Sequence, residues 1–274
     1  MIDILVFSKN RACQLDLMLR TLNFHFKLRH KITVLYLTTD NFFEAGYTIL
    51  KQLYPHIDFK KQTDNFYIEL KNILNNISNP YLLLLPDDAV FCGEVKEDDI
   101  QIQLFKSDSN IMNVNLRVGK YMKHNYFPDK HIIDAPVINE KGLYNWKTGN
   151  NIYWTHPLAT CGHIMRSKEF KSILMKAVNV PNLNELEEIV IRNVPNKNLV
   201  VCYDYNRMIE LCINLVNTTH TTNTHGTISV KGLNEKFIKY KRINMNFIAI
   251  LPKEYIRFSD INLEFEEFLY DTSI

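Results

Sequence analysis

The sequence has few glycines and none of the glycine-rich loops that hold phosphates in common nucleotide-binding folds. Only 8 of its 274 residues are glycine, and it contains neither a GxGxxG motif after the first apolar segment nor a GxxxxGKS or GxxxxGKT motif. These absences argue against Rossmann dehydrogenases and P-loop NTPases. A nucleotide bound by this chain would need its phosphate charge offset by another device, such as a metal ion or arginine and lysine side chains.

Paired cysteines and long apolar segments are also missing. The five cysteines are odd in number, widely spaced and free of any CxxC motif, which predicts reduced thiols and not a disulfide or zinc framework. The longest apolar run in the first half, Tyr81–Leu85, is far shorter than the ~20 residues that span a bilayer. The N-terminal segment lacks the basic start of a signal peptide. We therefore expect a cytoplasmic protein with no transmembrane segment.

The charge of the chain is nearly balanced. Its 32 Lys and Arg residues oppose 30 Asp and Glu residues, for a net charge of +2. No strong field would draw the chain to DNA or RNA, so nucleic acid is not an expected partner. With 46% hydrophobic residues, the composition is that of a globular protein with one large α/β domain or two smaller ones.

The first ninety residues alternate between short apolar runs and stripes with helical spacing. Ile4–Phe7 is a continuous apolar run, typical of a strand buried on both faces, whereas Leu15, Leu19, Leu22 and Phe26 are spaced as one face of a helix. The pattern repeats in the order βαβαβαβ, which predicts a mostly parallel central sheet with helices on both faces. Further strands are expected at Ile32–Leu37, Ile57–Phe59 and Tyr81–Leu85, and further helices on the stripes Phe43–Tyr54 and Phe66–Ile77.

Polar side chains follow each of these strands. In parallel sheets, ligands bind beyond the carboxyl ends of the strands, so we expect these side chains to gather at one edge. They are Ser8 and Arg11 after the first strand, Asp40 after the second, Asp64 near the third, and Asp87 with Asp88 after the fourth.

The Asp87-Asp88 pair directly follows the most apolar strand. Adjacent side chains of a strand point to opposite faces, so both carboxylates meet one cation only if the chain turns there, and Pro86 favours such a break. Hard oxygen ligands are typical of Mg²⁺ or Mn²⁺ sites. The alternative is that one Asp caps the turn while the other is solvated.

Several segments, taken in order, carry a resemblance to a known family. They are Leu5–Arg11 with Gln14-Leu15, Val34–Asp40 with Gly46-Tyr47, Phe66–Leu74 leading into Leu82–Phe91, and more weakly Pro157-Leu158, Gly162–Ile164, Pro181-Asn182 and Leu186-Glu187. Together they resemble GT-A fold glycosyltransferases, similar to the family 2-like enzymes of bacterial and large-virus surface-glycan synthesis. The resemblance implies one domain over residues 1–274, with a donor half (1–116) and an acceptor half with C-terminal helices (117–274).

The resemblance also implies a UDP- or GDP-sugar donor, a glycan acceptor, and Mn²⁺ or Mg²⁺ as cofactor. Ala89 stands where the commoner pattern has a third acidic residue, so a C-terminal histidine, His220 or His225, would matter more as a metal ligand. The implied donor-binding residues are Phe7, Ser8, Arg11, Asp40, Asp64 and Asp87, and the implied metal ligands are Asp88 and His225.

The second half should bind the acceptor and carry the catalytic base. An inverting transferase needs a carboxylate to take the acceptor proton, and we identify Glu185 and Glu187 on a helix expected over 182–194 as candidates. Aromatic faces stack on sugars, so Trp154 is a candidate for acceptor binding, although aromatics also hold long loops in place by burial. His163 is a further acceptor candidate, with a buried, satisfied histidine as the alternative.

Two other functions are compatible with these patterns. The chain could be a non-catalytic nucleotide-sugar or glycan-binding module with a degenerate Asp motif, or a sugar nucleotidyltransferase, although the latter normally has a glycine-rich loop near its N-terminus. The basic segment 231–242 and an acidic amphipathic helix expected over 260–271 leave open a peripheral association with membranes or a dimer contact.

Overall fold

The computed structural model describes residues 1–63, 65–128, 131–216, 225–259 and 261–268. In the first half, strands and helices alternate. In chain order they are β1 (Ile2–Lys9), α1 (Ala12–His25), β2 (His30–Leu37), α2 (Asn41–Leu53), β3 (Asp58–Lys61), α3 (Phe66–Asn75), β4 (Tyr81–Pro86), β5 (Ala89–Phe91), α4 (Ile100–Ser107) and β6 (Ile111–Gly119).

The second half has shorter elements joined by longer loops. They are β7 (His124–Phe127), β8 (Leu143–Asn145), α5 (Ile152–Thr155), β9 (His163–Arg166), α6 (Ser167–Leu174), α7 (Leu183–Arg192), β10 (Leu199–Tyr203), β11 (Met208–Leu211), α8 (Val230–Ile238), β12 (Lys241–Ile243), β13 (Tyr255–Phe258) and β14 (Phe265–Glu267), with 3₁₀ turns at Trp146–Thr148 and Met245–Ile250.

The central sheet has eight strands in the order β3-β2-β1-β4-β9-β6-β10-β8. The first four of these run parallel to one another, while β9 is antiparallel to both of its neighbours. The predicted βαβαβαβ order and mostly parallel sheet are thus confirmed. Asx side chains cap the N-termini of four α-helices by accepting backbone N–H groups: Asp40 caps α2, Asn65 caps α3, Asn151 caps α5, and Asn182 caps α7.

The central sheet separates two apolar cores because the side chains of its strands alternate between its faces. In β1, Ile4 and Val6 pack with α1 and α2 on one face. Leu5 and Phe7 pack with α3, α6 and α7 on the other. Within the described residues, no helix is both long enough and apolar enough to cross a membrane, and all five cysteines are unpaired.

Two smaller sheets lie outside the central sheet. Strands β5, β11, β13 and β7 form one, and β12 pairs with β14 in the other. The expected acidic helix over 260–271 is wrong for its described part, because Phe265–Glu267 is the strand β14. There, Glu266 pairs with Arg242 of β12 at 2.7 Å and Phe268 packs on Phe237, so tertiary contacts override the local helical pattern.

Candidate functional site

The Asp87-Asp88 pair lies in the turn between β4 and β5. Pro86 ends β4, and the chain re-enters a strand at Ala89. Because the chain turns here, the two side chains converge, as the sequence argument required. The cation they meet is the guanidinium of Arg11, whose Nη1 lies 3.0 Å from Asp87 Oδ1 and 3.0 Å from Asp88 Oδ2.

The tight turn after β1 positions Arg11. Asn10 has a φ of 58°, a left-handed conformation that asparagine tolerates better than most residues. Its side-chain amide is fixed by Thr39, to whose Oγ1 it donates at 3.0 Å and from whose backbone N–H it accepts at 3.0 Å. Arg11 then begins α1, and its Nε and Nη2 donate to the side-chain and backbone oxygens of Asn214 at 2.9 and 2.6 Å.

Asp87 is almost fully engaged by the protein itself. Its Oδ2 accepts the Ser8 hydroxyl at 2.8 Å and the backbone N–H of Lys9 at 3.1 Å, and the residue is only 2% exposed. The Ser8 hydroxyl also lies 2.5 Å from that of Tyr47. Asp87 thereby ties the end of β1 to the end of β4.

A cavity of about 340 Å³ opens at the carboxyl ends of β1, β2 and β4. Its walls include the first turn of α7 and the segment before it, 181–184. Four of the six expected donor-binding residues line it: Phe7, Ser8, Arg11 and Asp87. This is the edge at which open α/β sheets bind ligands.

The other two donor candidates are not placed at this cavity. Asp40 is exposed, and its Oδ1 caps α2 by accepting the backbone N–H of Phe43 at 3.1 Å. It is absent from the cavity wall. Asp64 lies outside the described residues.

The described residues do not fit a divalent metal site at the Asp pair. No group of three or more His, Cys, Asp or Glu side chains in the described ranges could hold an ion. Asp88 has one carboxylate oxygen without a hydrogen-bond partner there, whereas both oxygens of Asp87 are occupied. His225 is exposed and its Nδ1 contacts the carbonyl of Gly226. His220 lies outside the described residues.

A second polar cluster, missed by the sequence analysis, lies beside the Asp pair. Glu210 on β11 bridges two arginines, with Arg117 Nε 2.6 Å from its Oε1 and Arg257 Nε 2.6 Å from its Oε2. Arg257 also donates to the hydroxyls of Tyr126 at 3.0 Å and Tyr153 at 3.3 Å. Burial alone would raise the pKa of Glu210, but the two guanidiniums lower it to about 2.

Glu187 and Glu185 differ sharply in environment although both lie on α7. Glu185 is exposed in the first turn. Glu187 is half-buried, and burial raises its pKa, as does the charge of Glu210, against the opposing effects of Arg117, Arg257 and a backbone N–H from Thr160. A carboxylate with a raised pKa is suited to proton transfer.

The thiol of Cys161 is influenced by carboxylates of the Asp pair, of Glu210 and of α7. The pKa of the Cys161 thiol is raised first by burial, and then by the carboxylates of Glu210, Asp88 and Glu187, while Arg117 opposes them. In the structure the Cys161 thiol contacts Glu210, donating to its Oε1 at 3.5 Å.

The two acceptor candidates are both buried. The Trp154 side chain is 0% exposed and its ring packs edge-on against Tyr144 at 5.2 Å, so no face is open to a sugar and the residue holds its loop in the core. His163 is 2% exposed, and its Nδ1 accepts the backbone N–H of Ala159 at 3.0 Å. Burial and the nearby positive charge of Arg117 lower the pKa of His163 to about 3.

No protein-family model matches the sequence, and no curated protein matches it. Solved structures match its fold. TarS of S. aureus aligns with a TM-score of 0.51 at 10% identity over 76% of this chain and 36% of TarS. A TarS fragment spanning 1–349, in complex with UDP, aligns with a TM-score of 0.50 at 13% identity over 74% of this chain and 57% of the fragment.

A mannosyltransferase from Pyrobaculum calidifontis, PcManGT in complex with GDP-Man and Mn²⁺, aligns with a TM-score of 0.40 at 10% identity over 74% of this chain and 53% of that one. A score this low supports no argument. The chain spans less than two thirds of each of these proteins. The alignments with TarS show the fold alone, which is the mixed α/β fold of GT-A glycosyltransferases.

Proposed function

We propose that this chain is a glycosyltransferase that uses a nucleoside-diphosphate sugar, with UDP or GDP as the nucleotide. The acceptor hydroxyl attacks the anomeric carbon as its proton passes to Glu187. The bond from that carbon to the diphosphate oxygen breaks, and the diphosphate leaves with the electron pair. One such displacement inverts the anomeric configuration, and the acceptor is a glycan hydroxyl.

The observation that carries this proposal is the placement of α7. The first turn of α7 lines the cavity beside Arg11 and Asp87, and Leu183 in that turn is four residues before Glu187. Residues four apart lie on the same helical face. Glu187 itself does not line the cavity, but it lies about one helical turn, ~5 Å along the axis, beyond the wall at Leu183. The proposal places the donor with its sugar end towards α7.

The charge environment of Glu187 supports the role of base. A base works best when its pKa approaches the working pH, and burial moves the pKa of this carboxyl in that direction. The half-buried rings of Tyr126 and Tyr153, joined by Arg257, lie in the same cluster. Guanidiniums already lie over both rings, Arg257 over Tyr126 and both Arg117 and Arg257 over Tyr153, so these tyrosines hold the charged cluster in place beside the site.

Glu187→Gln tests the base directly. We expect the initial rate of sugar transfer to fall by about 10²–10⁴-fold, with nucleotide affinity unchanged. Glu185→Gln on the same helix is the matched control, and it should retain full activity because Glu185 is exposed.

The pH dependence gives a second measurement. The kcat/KM of the wild-type chain should rise with pH through a pKa above 4.5, since the base acts when deprotonated. Folding favours the protonated form of a carboxyl whose pKa is raised, so any such stabilisation is lost as pH rises through that pKa. Glu187→Gln should therefore be at least as stable as wild type at pH 7, and a marked loss of stability would assign Glu187 a structural role.

Nucleotide binding separates the proposed transferase from the alternatives. UDP or GDP should raise the melting temperature, by an amount that grows with the logarithm of ligand concentration over Kd. Binding without any donor turnover would indicate a non-catalytic module. Formation of a nucleotide sugar from a sugar phosphate and a nucleoside triphosphate would indicate a nucleotidyltransferase. Absence of binding by UDP, GDP and CMP alike would overturn the proposal.

A further inference from the structure

The position expected for a divalent ion is taken by a side chain of the protein. A metal shared by Asp87 and Asp88 would lie between their carboxylates, about 2.0–2.1 Å from the ligating oxygens for Mg²⁺. Arg11 Nη1 already lies there, 3.0 Å from one oxygen of each. A dication at ligand distance from both oxygens would be pressed against this guanidinium, with which it shares the sign of its charge.

Asp87 has no oxygen to spare for an ion. Its Oδ1 accepts from Arg11, and its Oδ2 accepts from both Ser8 Oγ and Lys9 N. A metal would have to share Oδ1 with the Arg11 guanidinium or displace one of the two donors to Oδ2, in a residue that is 2% exposed. Asp88 offers only its other oxygen, since Oδ2 accepts from Arg11. A single carboxylate holds Mg²⁺ only together with waters and the phosphate oxygens of a bound substrate, so Asp88 alone makes no ion site in the free chain.

Arg11 cannot easily swing away to admit an ion. Its Nε and Nη2 are bound to Asn214, whose side-chain amide in turn donates to Gln14 Oε1 at 3.1 Å. The guanidinium is thus held on both sides, and the residue is 8% exposed. Leaving this position would strand two carboxylates together with the polar groups of Asn214.

A second cationic residue, at the end of β1, lines the cavity. Lys9 follows Ser8 in the cavity wall, and its ammonium has no hydrogen-bond or ion-pair partner within the described part of the chain. Its backbone N–H, by contrast, is fixed on Asp87 at 3.1 Å. The end of β1 and the start of α1 therefore provide two positive side chains. Arg11 is bound by the carboxylates, and Lys9 is available for a ligand.

We propose that Arg11 replaces the divalent metal at the Asp pair, and that the nucleoside diphosphate binds independently of metal with Lys9 as its cationic partner. The claim that a nucleoside diphosphate binds here rests on the proposed function. The claim that Arg11 replaces the metal rests only on this chain's own residues. Arg11 holds the two carboxylates and the ends of β1 and β4 in place, and the Lys9 ammonium offsets charge on the leaving diphosphate.

The first experiment uses Mn²⁺ alone and requires no nucleotide. Calorimetric titration of the wild-type chain should detect no Mn²⁺ site at the Asp pair, whereas Arg11→Gln should gain one that binds at least about 10-fold more tightly than any wild-type site. Removal of the cation frees both carboxylates for an ion. Asp88→Asn in the Arg11→Gln background should abolish the gained site, which assigns it to the pair.

Arg20→Gln is the matched control for loss of an arginine. Arg20 lies on the same helix and donates to the buried Asp16 at 2.8 Å, away from the cavity wall. Arg20→Gln should gain no Mn²⁺ site. A wild-type Mn²⁺ site that is lost in Asp88→Asn would overturn the inference, and this comparison stands even if Arg11→Gln does not fold.

The second experiment measures UDP and GDP affinity in EDTA and in Mn²⁺. The wild-type affinity should agree within about 2-fold between the two conditions, and Lys9→Gln should weaken it by about 10-fold in both. An affinity that falls 10-fold or more in EDTA refutes metal independence. If neither nucleotide binds in either condition, the proposed function fails, while the Mn²⁺ titration still decides whether Arg11 fills the metal position.

Discussion

Replacing Glu210 by glutamine should destabilise the chain by about 3–5 kcal/mol, because removal of one partner from a buried ion pair leaves an uncompensated charge. Here the carboxylate bridges two guanidiniums at 2.6 Å each, and its side chain is only 9% exposed. The lowered pKa of Glu210 gives a second value for the same free-energy difference. A pKa of about 2 against the ordinary 4.5 corresponds to about 3 kcal/mol at neutral pH.

Urea denaturation of wild type and Glu210→Gln measures this difference, and thermal melting should show a loss of about 10 °C for a chain of this size. Glu188→Gln removes an exposed carboxylate paired with Arg192 and serves as the control, with an expected change of about 0.5 kcal/mol or less.

The stability difference between wild type and Glu210→Gln should depend on pH, because folding lowers the pKa of Glu210. A carboxyl whose pKa is depressed by folding stabilises the folded state above its unfolded pKa, and this contribution is lost as pH falls towards the folded pKa of about 2. The gap between wild type and Glu210→Gln should therefore be constant between about pH 8 and pH 6 and shrink below about pH 4.5. A variant as stable as wild type at pH 7 would refute the reasoning that Glu210 holds Arg117 and Arg257.

Two further predictions test the packing around the site. Trp154→Phe should cost about 1–3 kcal/mol in urea denaturation while leaving the KM for the acceptor unchanged. If Trp154→Phe instead raised the KM for the acceptor without loss of stability, Trp154 would be assigned to acceptor binding. Gly162→Ala should destabilise by more than about 1 kcal/mol, because Gly162 has a φ of 74° and the added Cβ would lie 2.5 Å from Met208 Sδ. Gly232→Ala in α8, where the nearest atom is 3.4 Å away, should be neutral or stabilising.

The first half of the fold was predictable because its signal is local. Strands β1, β2 and β4 each contain a short apolar run, and each connecting helix carries a stripe at helical spacing. Parallel pairing of such units follows from right-handed crossovers. The turn at Asp87-Asp88 was predictable from Pro86 and the end of the apolar run. The C-terminal strand β14 was not, because its pairing with β12 outweighs a local pattern that resembles a helix.

The residues of the candidate site were only partly predictable from the sequence. The positions after strands selected Ser8, Arg11 and Asp87, and the family resemblance added Phe7; all four line the cavity. The same reasoning also selected Asp40, whose carboxylate is used to cap α2. Spacing gives the end of a strand but not the direction of a side chain, which depends on the neighbours it meets in the fold.

The sequence by itself determined the order of the elements, the sheet and the edge where polar groups collect, since periodicity and chain breaks act over a few residues. Only the tertiary structure decided which groups meet there. Arg11 meets Asp87 across 76 positions and Asn214 across 203, and Glu210 collects two arginines from separate strands. Such contacts depend on how the whole chain packs. Buried charges must be paired, but this requirement leaves no repeating pattern in the sequence from which the partners could be read.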